Sequence, residues 1–197
     1  MNSTPTTLQT LGFMDVDQLT AILKQNDIDP SLFGTGVAKT LDQLVKEIND
    51  GETEFSTMPL LRVVRVLILA LVRDGKTLVE TNQFWHKTDI RDSYSRQRFC
   101  LVAEKIERGE FPEAAVRRAL KEELGIEVTF ADCTFAYSTE IRDSLSYPGV
   151  KTKYITYRTE MVAPESISSE SFEHTEYFED GTPRVTATWE FRDLSLE

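Results

Sequence analysis

Cysteine, histidine and long apolar runs are scarce in this chain, and each scarcity removes a class of function. The two cysteines, Cys100 and Cys133, stand neither in a CxxC pair nor beside clustered histidines, which excludes a zinc ribbon and a disulfide-stapled scaffold. Both read as small buried residues, and His86 and His174 share no nucleophile motif with either. The longest apolar run, Val63 to Val72, is broken by Arg65 and falls far short of the roughly 20 residues of a membrane span, so it reads as a buried strand. The N-terminal MNSTPTTLQT lacks the basic-then-apolar order of a signal peptide, and the expected compartment is the cytoplasm. Positive charge is also short: 22 Lys and Arg stand against 33 Asp and Glu, a formal net charge of −11. Neither a nucleic acid duplex nor an anionic membrane finds a general basic field here, whereas a small polyanion that arrives with its own metal ions is compatible. The glycines of FGTGVAKT, residues 33–40, do not follow the G-x4-G-K-[ST] order and have no strand before them, so this stretch reads as a turn entering a helix.

What is present is enough for one domain of about 140 residues with a small appendage. Asp15 with Gln18, and Thr40 with Gln43, form two capping boxes that start helices over 16–25 and about 41–49. Leu19, Ile22 and Leu23 share one face of the first, and Leu41, Leu44, Val45 and Ile48 share one face of the second. Residues 1–60 therefore read as an N-terminal helical arm, with apolar faces available to a protein partner, and residues 61–197 as the main domain. From Leu61 the period changes to that of strands. Arg62 to Val72 and Thr77 to Thr81 flank the hairpin turn Asp74-Gly75, and 84–98 reads as a loop before a strand at about 98–103. Further strands are expected at 127–130, 134–140 and 151–162, then a hairpin of 172–178 and 184–191. The expected class is α+β with a mixed sheet.

Residues 101–126, LVAEKIERGEFPEAAVRRALKEELGI, concentrate the chemistry. Pro112 suits a first helical turn because its missing amide hydrogen would have no partner there, Glu113 complements the positive dipole end, and Gly125 stops the helix. Ala115, Val116, Ala119, Leu120 and Leu124 make one apolar stripe, so the helix is docked. Arg118 lies one turn before Glu122, and the adjacent Glu122 and Glu123 repel each other and the negative dipole end. A hard divalent cation, held by one or two carboxylates together with substrate phosphates and water, would relieve that repulsion.

The segment resembles the Nudix box, G-x5-E-x7-R-E-U-x-E-E-x-G-U with U bulky and aliphatic. Glu110 matches the first Glu, Arg118 the Arg, Leu120 the first U, Glu122 and Glu123 the Glu pair, Gly125 the second Gly and Ile126 the last U. Two positions depart: Glu104 stands at the first Gly, and Ala119 at the Glu after Arg, a metal ligand or base in many members. The resemblance implies a mixed sheet sandwiched with the Nudix helix, and a Mg2+- or Mn2+-dependent hydrolase of a nucleoside diphosphate linked to another moiety. Glu122 and Glu123 would hold the metal, Arg118 would orient Glu122, and Glu104 would restore the carboxylate missing at position 119. The strand entering the box forms a wall of the pocket in this family, which makes Arg96 and Arg98 candidate contacts for substrate phosphate, with Arg91 nearby in sequence. Arg158, beside Lys151 and Lys153, adds positive charge on a later strand. Nudix domains often supply a late metal-binding Glu, and Glu165, Glu170, Glu173 and Glu176 are the candidates. The alternative left open by Ala119 is a catalytically inactive nucleotide- or protein-binding module.

Overall fold

The computed structural model describes residues 13–57, 59–87, 92–129, 133–168 and 170–194. In chain order they form α1 (Val16–Gln25), a 3-10 turn (Pro30–Leu32), α2 (Leu41–Asn49), β1 (Glu54–Thr57), β2 (Leu60–Arg73), β3 (Lys76–Trp85), β4 (Tyr94–Cys100) and β5 (Val102–Lys105). Then follow α3 (Pro112–Leu124), β6 (Ala136–Asp143), β7 (Lys151–Val162), β8 (Phe172–Tyr177) and β9 (Pro183–Arg192). The class is α+β, as the sequence leads one to expect. No helix among the described residues is long and apolar enough to cross a membrane.

Internal packing divides the chain into two compact units, each drawn from several segments. The first comprises Met1–Val66, Lys105–Glu110 and Tyr137–Thr156; the second comprises Leu67–Glu104, Phe111–Ala136 and Tyr157–Glu197.

In the first unit both capping boxes form. Gln18 donates its backbone N–H to Asp15 Oδ1 at 2.8 Å while Gln18 Oε1 accepts from the Asp15 N–H at 3.0 Å, and Thr40 with Gln43 repeats the pattern. Leu19 and Leu23 of α1 and Leu44 and Ile48 of α2 share one core with Met14, Phe33, Phe55, Tyr147 and Val150. The apolar faces that the sequence offers to a partner are thus covered by the chain itself, because residues about 100 positions later return to meet them. Glu47, 6% exposed, lies in this unit within reach of three cations: Lys39 Nζ at 2.6 Å, Arg62 Nη2 at 2.6 Å and Lys105 Nζ at 3.1 Å. Burial pushes its carboxyl up, but the Lys39 hydrogen bond and the charges of Lys105, Arg62 and Lys39 outweigh it and hold the pKa at about 2. Lys39, the one cation of the glycine-bearing turn, is therefore committed to a carboxylate.

In the second unit β2 turns into β3 through Asp74 and Gly75, both at positive φ (50° and 75°), the geometry a two-residue hairpin requires. β3 is flanked antiparallel by β4 and β9, and β8 pairs with β9. Two readings from the sequence are corrected here. Residues 84–98 are not a loop throughout: β3 runs on to Trp85 and β4 begins at Tyr94, with Phe84 opposite Ser95 and Trp85 opposite Tyr94. The reason is a cross-strand aromatic pair, Trp85 and Tyr94 stacked at 6.3 Å and 8°, on a strand exposed on both faces that therefore shows no alternation. The second concerns 127–129, which carry no strand, the next one starting at Ala136. Phe130, the end of that expected strand, lies outside the described residues.

Candidate functional site

α3 forms where its sequence signals place it. Pro112 occupies the first turn, and the helix ends at Gly125 in the left-handed region (φ 69°), whose N–H donates to Lys121 O at 3.0 Å while the Ile126 N–H reaches back to Leu120 O at 2.9 Å. Ala115, Val116, Ala119, Leu120 and Leu124 are all buried, so the stripe is docked and the last turn is held in a fixed orientation. The acids gather at the last turn, where Glu123 follows Ala119 by one turn along this stripe and Glu122 flanks it.

Arg118 Nη1 lies 3.4 Å from Glu104 Oε1 and 3.2 Å from Glu122 Oε2, one guanidinium joining the end of β5 to the last turn of α3. Glu122 is half exposed at 52%. Glu123 is in a different environment. Burial first, then the charges of Glu176, Glu104 and Glu80, push its carboxyl up to about 8, with Arg98 opposing. Glu80 on β3 is 3% exposed; its Oε2 accepts from Arg98 Nε at 3.0 Å and from the Cys100 thiol at 3.2 Å. Its Oε1 is buried without a hydrogen-bond partner among the described residues. Glu176 on β8 is likewise raised, by burial first, then against the opposing Arg184 (3.6 Å) by Glu104, Glu122 and Glu80. Burial and Glu80 push the Cys100 thiol up to about 11, which leaves it inert as a nucleophile at neutral pH.

Five carboxylates thus share one electrostatic field with three guanidinium groups from the same unit, those of Arg98, Arg118 and Arg184. Among the described residues, no three Asp, Glu, His or Cys side chains converge into a preformed metal-ligand group. Chemically, the arrangement suits charge neutralisation by a cation far better than acid-base work by a single side chain.

The NUDIX domain family model matches residues 61–180, more than half of the chain. The chain belongs to the Nudix family. Among curated proteins nothing matches it. Among solved structures it is similar to the solution structure of the E. coli ORF135 protein, at 23% identity and a TM-score of 0.31 over 49% of this chain and 60% of that one.

On this Nudix helix and around it, the structure brings together Glu104, Arg118, Glu122 and Glu123, with Arg98 joining them through Glu80. Arg96 lies apart from the acids, exposed on β4 opposite Gln83. Arg158, exposed on β7, lines a cavity of about 410 Å³ with Ile68, Ala70 and Leu101, and none of the five carboxylates lines it. Arg91 lies outside the described residues. Of the four late acids, Glu176 is the one whose charge acts on Glu123. Glu80 escaped the sequence reading. Leu78, Val79 and Glu80 are all buried in succession, so no alternation marks the acid, and the one available signal was a lone carboxylate inside an apolar strand.

Proposed function

We propose that this Nudix protein is a divalent-metal-dependent hydrolase of a nucleoside diphosphate linked to another moiety. The observation that carries the reading is the raised carboxyl of Glu123, half-buried beside Glu176, Glu104 and Glu80 with too little positive charge to offset them. The donors fit Mg2+ or Mn2+: they are hard oxygens, one buried carboxylate oxygen of Glu80 has no partner among the described residues, and magnesium needs only one or two protein carboxylates beside substrate phosphates and water. Glu122 and Glu123 would hold the cation, with Glu104 and Glu176 contributing to its field; the chemistry a cation supplies there is phosphate polarisation and a more acidic water.

The remaining work falls to side chains. Arg118 fixes the carboxylates of Glu104 and Glu122 relative to each other, so that both would face the cation without rotamer search. Arg98 holds Glu80 in place and offsets part of the negative field around Glu123. Glu104 takes the place of the carboxylate that Ala119 does not provide.

A second reading has its own support. Ala119 is fully buried in the apolar stripe, so no acid stands at the box position that many members use for metal or base. On that reading the chain binds a nucleotide and does not turn it over. A panel of nucleotides and phosphoesters with Mg2+ and Mn2+, run beside Glu123→Gln, separates the two. The hydrolase reading expects turnover that scales with protein, stops with chelator and falls at least about a hundredfold in Glu123→Gln. Full activity in that variant removes the mechanism, and calorimetric binding without turnover selects the module.

A further inference from the structure

We infer that His174 is a positioning residue for the acid site, a latch that holds the last turn of α3 against β8. His174 Nε2 lies 3.1 Å from the backbone oxygen of Glu122. A carbonyl can only accept, so Nε2 carries the proton and donates. The last four carbonyls of a helix have no partner within it, and here one of them, on the residue that begins the Glu pair, is satisfied from another element.

Two further facts show that the contact is built. Gly125, at the helix end, leaves room for the imidazole: a Cβ there would lie 2.8 Å from His174 Cε1 and 3.0 Å from Nδ1, closer than side-chain carbons come. The glycine therefore serves both the left-handed backbone and the approach of the ring. The second fact is register. His174 and Glu176 are two residues apart on β8 and point to the same side of the strand. Tying His174 to Glu122 therefore also sets where Glu176 stands with respect to Glu123, on whose carboxyl Glu176 acts more strongly than the other acids around it.

His174 touches neither a substrate phosphate nor a cation in this scheme; it acts through the backbone. The catalytic consequence rests on the hydrolase reading above, whereas the latch itself does not. The test compares His174→Phe, which keeps a ring but has no donor, with His174→Gln, whose amide nitrogen reaches to a similar distance and can donate. Two readouts are taken on each full-length variant: Mn2+ affinity from the electron paramagnetic resonance of free Mn2+, and amide hydrogen exchange over residues 120–126.

His174→Phe is expected to weaken Mn2+ binding by about tenfold or more, the usual size of an outer-shell loss, and to speed exchange in the last turn. His174→Gln is expected to stay near wild type in both. Equal behaviour of the two variants, or unchanged exchange in His174→Phe, overturns the latch. If the wild-type protein binds no Mn2+ while exchange still separates the variants, the metal reading fails and the latch stands.

Discussion

Glu123 is more easily protonated in the folded chain than in the unfolded one, and this sets a sign for stability against pH. Its folded pKa of about 8 lies above the ordinary glutamate value of 4.5. A raised carboxyl favours folding in its neutral form, so the stabilisation is complete below pH 4.5 and is lost as pH rises through 8. In chelator, the melting temperature of the wild type should fall between about pH 5 and pH 8, and Glu123→Gln should flatten that fall by a few degrees. Scanning fluorimetry at a series of pH values reads both, and an unchanged slope in the variant would show that Glu123 is not buried among like charges. Saturating Mg2+ should raise the wild-type melting temperature most at the alkaline end, where the carboxylate is free to bind it. Glu104, Arg118, Glu122 and Glu123 were legible before the structure because one helix and the strand before it carry them at fixed spacing. Glu80 was not, and Glu176 stood as one of four late acids among which the sequence does not choose. What brings them in is the pairing of Glu80 with Cys100 and Trp189 and of β8 with β9, and such long-range register leaves no mark in a short window of sequence.

At the scale of elements, α3 owes its precision to its two ends. Proline opens it and a left-handed glycine closes it, so both limits could be read directly, while β4 stayed hidden because its exposed faces and polar residues carry no period of two. The unexpected part is that Gly125 answers to two demands. Gly125→Ala should cost about 1–2 kcal/mol for the left-handed backbone alone and more for displacing the imidazole. Urea denaturation of Gly125→Ala in the wild-type and His174→Ala backgrounds resolves the two contributions. The substitution should be less costly without the ring, and equal cost in both backgrounds would show that the ring is not confined.

For the molecule as a whole, the buried ion cluster of the first unit is the counterpart of the acid site: there cations outnumber the carboxylate they surround, and the pH dependence reverses. Glu47, held at about 2, contributes stability that is present above pH 4.5 and is lost as pH falls through 2. Glu47→Ala leaves the buried Arg62 guanidinium, 5% exposed, without its carboxylate and should destabilise by about 3–5 kcal/mol. Replacing both, Glu47→Leu with Arg62→Met, should come within about 1 kcal/mol of wild type, because neither charge is then left buried alone. Equilibrium unfolding of the three proteins checks this. The sequence marked two capped amphipathic helices correctly yet could not say what they pack on, since Tyr147 and Val150 belong to a stretch with no apparent bearing on them.

That shared core imposes an order on synthesis. Leu19, Leu23, Leu44 and Ile48 are synthesised about 100 residues before Tyr147 and Val150, an interval of roughly 5–20 s at ordinary elongation rates. Through that interval the two helices have each other, Met14, Phe33 and Phe55 to pack on, while the places of Tyr147 and Val150 stay unfilled. A pause in translation ahead of codon 147 lengthens the time for which that core stays incomplete.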